Sequence, residues 1–74
     1  MNEPLREQMK AMIPDLPKNW VKIVGDRMGI KPWVIYSYIN GRRGEREHMK
    51  LIEINNQMKT LHTEYKKLLE QAIA

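Results

Sequence analysis

A nucleophile, a base or a metal ligand works only in company, and the candidates in this chain of 74 residues stand alone. Ser37 is the only serine, cysteine is absent, and the two histidines, His48 and His62, lie 14 residues apart. On a helix that separation is about four turns, whereas two histidines share a metal when they are one turn apart. There is no H-E-x-x-H, no glycine-rich phosphate loop and no pairing of carboxylates that would form an acid–base cleft. The chain therefore reads as a non-enzyme, with no cofactor and no metal expected.

The chemistry that does gather in one place is positive charge. Residues 18–46 hold seven cations (Lys18, Lys22, Arg27, Lys31, Arg42, Arg43 and Arg46) against Asp26 and Glu45, a net +5. Residues 1–17 carry a net −1, and residues 47–74 balance four lysines against four glutamates. A basic patch beside a neutral remainder points to an anionic partner rather than to a general need for solubility.

The length allows one small domain, marginally stable alone and helped by a second subunit. The lack of cysteine removes a disulfide framework and fits a reducing compartment. Charges run through the first twelve residues, unlike a signal peptide, and the apolar runs are too short to span a bilayer. A cytoplasmic location without membrane contact is the expectation.

The elements that must position this charge can be read from their punctuation. Pro4 suits a first helical position, and Leu5, Met9, Met12 and Ile13 follow at helical spacing, until Pro14 and Pro17 break the pattern. Asn19 is a favourable N-cap for a second helix, in which Trp20, Ile23, Val24 and Met28 share one face. Gly29 stops it in a left-handed turn, Pro32 opens a third helix with Ile35, Tyr38 and Ile39 on its apolar stripe, and Asn40-Gly41 ends it. Residues 45–74 then run without Pro or Gly, with Glu45 and Glu47 at the favourable end of the dipole. There Leu51, Ile54, Met58, Leu61, Tyr65, Leu68 and Ala72 repeat at alternating intervals of three and four, the seam of a coiled coil. Asn55-Asn56 is the point at which this helix would bend or restart. Met49 and Ile52, off the seam, are expected to dock its base onto the preceding domain.

Residues 21–41 (VKIVGDRMGIKPWVIYSYING) resemble the helix-turn-helix of the Cro and lambda-repressor-like family of phage and bacterial regulators. Gly25 stands where that family usually has alanine, Met28 and Ile30 flank the turn glycine Gly29, and Ile35 and Ile39 match the anchors of the second helix. The closing run 39–42 (Ile-Asn-Gly-Arg) is similar to the usual end of the recognition helix. The physical logic agrees: two helices that cross closely need a tiny side chain at the crossing and a turn residue tolerant of positive φ. The second helix needs one apolar face for docking and the other for the major groove.

The resemblance implies a recognition helix at 31–40, with Lys31, Pro32, Trp33, Tyr36, Ser37 and Asn40 toward the bases of double-stranded DNA. Lys31 would donate to guanine, Asn40 would pair with adenine, and Trp33 would press on a thymine methyl. The chain departs from the family at Pro32 and Trp33, where small polar residues are usual, so modest base specificity and a large phosphate share are expected. Lys18, Asn19 and Lys22 form one expected phosphate clamp, helped by the free amides of the helix they begin, and Arg42, Arg43 and Arg46 form the other. The fold expected is all-α: a helix-turn-helix domain over 1–46 and a long helix over 47–74, the latter pairing two or more copies through Leu51, Ile54, Met58, Leu61, Tyr65, Leu68 and Ala72. The alternative for this long helix is to fold back across its own domain. A dimeric transcriptional regulator is the leading expectation. The alternatives are a DNA-packaging or architectural subunit, and a helical adaptor that binds protein through Trp33, Tyr36 and Tyr38.

Overall fold

The computed structural model describes residues 3–41 and 48–73. Among them the chain is helical without strands: α1 (Glu3–Met12), a 3-10 turn (Ile13–Asp15), α2 (Trp20–Met28), α3 (Pro32–Ile39) and α4 (His48–Ile73). Proline punctuates as expected. Pro14 lies in the 3-10 turn, where α1 can no longer continue, and Pro32 opens α3. Asn19 precedes α2, but its side chain makes no capping hydrogen bond.

The core is one cluster drawn from every helix: Met9, Leu16, Trp20, Val24, Ile35, Tyr38, Ile39, Leu51, Ile54, Met58 and Leu61. The last four come from α4, which packs against α1, α2 and α3. This corrects the expected coiled-coil seam. Leu51, Ile54, Met58 and Leu61 are spent on the chain's own core, because four helical segments of this size cannot otherwise cover their apolar faces. The long helix thus shares one core with the residues expected to form a separate DNA-binding domain, as in the folded-back alternative. Met49 is also corrected: it faces solvent, while Ile52 is half-buried.

α4 runs unbroken through Asn55-Asn56. Asn55 is 4% exposed, and its Oδ1 accepts no hydrogen bond. Burying an unsatisfied amide oxygen costs about 1–3 kcal/mol, and the apolar neighbours at Leu51, Ile54 and Met58 offset it. Past Leu61 no described residue of α4 is buried. Tyr65 is half-covered, Leu68 is 62% exposed, and Leu69 and Ala72 lie open beside it, so the same stripe runs on beyond the body. The longest dimension, 44 Å, and a radius of gyration of 12.7 Å reflect this overhang, since a compact chain of this length would have about 11 Å. No helix of the described residues is long and apolar enough to cross a membrane.

One ion pair ties α2 to α4. The Arg27 guanidinium donates to both oxygens of Glu64, at 3.2 and 2.8 Å. These hydrogen bonds hold the Glu64 carboxyl below its ordinary range; desolvation works against them and the charge of Arg27 adds to them. A depressed folded-state pKa stabilises fully above the unfolded carboxylate value of about 4.3 and stops doing so as the pH falls through the folded value. Glu64→Gln is therefore expected to lower the urea midpoint at neutral pH, with the gap between variant and parent closing as the pH falls from about 4.3 through the lower folded-state value. A gap that persists in acid would show that the pair is not the cause.

Candidate nucleic-acid interface

The turn between α2 and α3 is set by two glycines. Gly29 adopts φ +70°, and its amide donates to the Gly25 carbonyl, as does the amide of Ile30 at 2.9 Å. The bond from Ile30 is the six-to-one contact of a Schellman turn, which brings the chain back across the end of α2. The return is tight: a Cβ on Gly25 would sit 2.7 Å from the Ile30 carbonyl oxygen and 3.6 Å from Cδ1 of Ile35. An alanine here would collide with backbone.

Held this close, α3 docks by Ile35, Tyr38 and Ile39, all buried. Helical periodicity then turns the other side outward. Lys31, Pro32, Trp33, Tyr36 and Asn40 are exposed, Trp33 to 60% and Tyr36 to 43%, and Ser37 is half-buried. Of the six side chains assigned to bases, five share an open face. Ser37 is differently employed: its hydroxyl donates to the Trp33 carbonyl at 2.9 Å, which uses its proton inside the helix.

The residues of the first expected phosphate clamp lie beside this face. Trp20, in the first turn of α2, meets the Tyr36 ring edge to face, with centroids 5.9 Å apart and planes at 76°. The contact places the start of α2, with exposed Lys18, Asn19 and Lys22, next to the outer side of α3. One part of the expectation needs correction. The amide of Trp20 donates to Pro17 and that of Lys22 to Asn19, so the first turn offers an anion fewer amides than expected and the hold falls on side chains. Arg42, Arg43 and Arg46, the second clamp, lie outside the described residues. Arg27 is engaged by Glu64.

Arg6, a residue that sequence reasoning passed over, steadies the far end of α3. Its Nε–H donates to the Tyr38 carbonyl at 3.1 Å, its Nη1 to Glu3 at 3.2 Å, and its guanidinium lies against Gly41. A cation at a helix C-terminus meets the negative end of the dipole, and Arg6 adds a second donor to a carbonyl that also accepts the Gly41 amide at 3.2 Å. Among the described residues no group of three His, Asp or Glu side chains converges as metal ligands. A groove of about 370 Å³, lined by Pro14, Asp15, His62, Tyr65, Lys66 and Leu69, shares no residue with the α3 face.

The crossing can be tested directly. Gly25→Ala is expected to destabilise the fold by about 1–2 kcal/mol, as the clash with Ile30 outweighs the gain of about 1 kcal/mol in helix propensity. Urea unfolding followed by circular dichroism measures it, and a neutral or stabilising result would mean that the helices do not approach this closely. In comparison with known proteins, no family model, no curated protein and no solved structure matches the chain.

Proposed function

We propose that the protein binds double-stranded DNA as a helix-turn-helix regulator, with α3 entering the major groove. One observation carries this reading: the anchors Ile35 and Ile39 are buried while Trp33, Tyr36 and Asn40 stand exposed on the other side and Lys31 and Pro32 are exposed at the start of the helix, beside the cations at the start of α2. A helix docked on one side, basic at its flank and exposed on the other, is what a major groove admits. Lys18, Lys22, Arg42, Arg43 and Arg46 neutralise phosphates, Asn19 adds a hydrogen bond to the backbone, and the outer face of α3 meets the bases.

The protein acts as a homodimer in the same reading. With four of the seven seam positions consumed by the core, the pairing surface contracts to Tyr65, Leu68, Leu69 and Ala72 on the overhang of α4. Glu64, Lys66, Lys67 and Glu70 balance around it, so no net charge opposes a second copy there, unlike the basic flank of α3. Equilibrium sedimentation is expected to show a dimer that Leu68→Glu converts to a folded monomer. A parent that is monomeric at high concentration, or a variant that still dimerises, would remove this part of the proposal.

For DNA itself the measurement is anisotropy of a short labelled duplex across a salt series. With five cations on phosphates at roughly −0.9 each, log K is expected to fall against log salt with a slope between about −3 and −5. Lys18→Ala with Lys22→Ala should make the slope shallower by about 1–2, weakening all sequences alike. An affinity indifferent to salt would end the DNA reading and bring forward a protein-binding adaptor.

A further inference from the structure

We propose that the outer face of α3 distinguishes duplexes by the methyl group at C5 of the pyrimidine, so that it takes thymine or 5-methylcytosine in preference to the same base without the methyl. This rests on the DNA-binding reading above and says what that face recognises.

The argument begins with what the face lacks. Bases are told apart by hydrogen-bond pattern when a planar side chain engages two atoms at once: arginine on guanine, asparagine or glutamine on adenine. Between Pro32 and Ile39 there is no Arg, Asn or Gln. Asn40, the one amide of the set, sits at the C-cap, at the opposite end of the helix from Pro32. Lys31 is a point charge without planar geometry. Ser37, the remaining small polar residue, gives its proton to the Trp33 carbonyl.

What the face presents instead is carbon. The Pro32 ring and the Trp33 indole in the first turn of α3, and the Tyr36 ring one turn on, are all exposed. Two of the three are also held in place: proline fixes its own ring with the backbone at the first turn, and Trp20 packs on the Tyr36 ring at 76° to its own plane. An ordered apolar surface in a major groove finds one apolar feature on the base edges, the C5 methyl of thymine. Cytosine offers the same group at the same carbon only when it is methylated. Covering one methyl is worth about 0.8 kcal/mol, or roughly fourfold in affinity.

The test uses the full chain and four duplexes at one salt concentration: a mixed A·T-rich sequence, the same sequence with deoxyuridine for thymine, a mixed G·C-rich sequence, and its 5-methylcytosine form. The methylated member of each pair is expected to bind about fourfold tighter for one contacted methyl and more for two. Trp33→Ala with Tyr36→Ala should bring each ratio to one while leaving the salt slope unchanged, with circular dichroism confirming the helix content. A preference within the A·T pair alone assigns thymine as the ligand; a preference within both pairs assigns the methyl itself. Equal, salt-dependent binding within both pairs would overturn this inference and leave DNA binding standing. A ratio that survives the double substitution would also overturn it, and binding to none of the four would overturn both.

Discussion

The Ile30 carbonyl lies almost against the α-carbon of Gly25, and the position of α3 follows from that contact. It can exist only because Gly25 has no side chain, and it brings Cδ1 of Ile35 over the same glycine. With Ile35 fixed there, Ile39 one turn on enters the core, and 3.6-residue periodicity decides the rest: positions 33, 36 and 40 turn away from the body, while Pro32 is exposed because it opens the helix. The outward face of α3 is thus a consequence of an inward one. Gly29 serves the same contact, since its left-handed backbone bends the chain back before α2 can run past the crossing.

The order of the helices was legible because proline and glycine mark nearly every boundary and the apolar residues between them keep a 3.6 period. The burial of Ile35 and Ile39 against the exposure of Trp33 and Tyr36 was readable from spacing for the same reason. The use made of the long apolar stripe was not. A three–four alternation says that one face of a helix seeks cover, and it is silent on whether the cover comes from the same chain or from another. Leu51, Ile54, Met58 and Leu61 look the same in sequence as Leu68, yet they end in opposite environments because the body of the protein extends only as far as Leu61. Arg6 was invisible for a related reason: its acceptor is a carbonyl 32 residues away, and no local pattern announces it. The amides at the start of α2 were credited with more freedom than they have, since the loop at Pro17 and Asn19 already supplies them with carbonyls.

Charge and packing divide the molecule between them. The apolar contacts of α4 define its position, and the Arg27–Glu64 pair adds a directional clasp near the limit of that contact, just before the helix leaves the body. The clasp also removes one cation from the basic segment, so that segment presents a smaller charge than its composition suggests. Surface pairs of this kind contribute little individually. Their value here is orientation, because a long helix held only by a greasy stripe is free to roll by a fraction of a turn.

The placement of Leu51, Ile54, Met58 and Leu61 has a consequence for how the molecule comes into being. A ribosome delivers a chain from its N-terminus, so α1, α2 and α3 emerge while the residues that roof their shared interior are still being made. Until Leu61 has cleared the exit, those three helices pack only on one another, and the interior they share with α4 lies open to solvent. A nascent or truncated product that stops short of Leu61 therefore lacks the roof over that interior, and the buried side of α3 loses part of its cover.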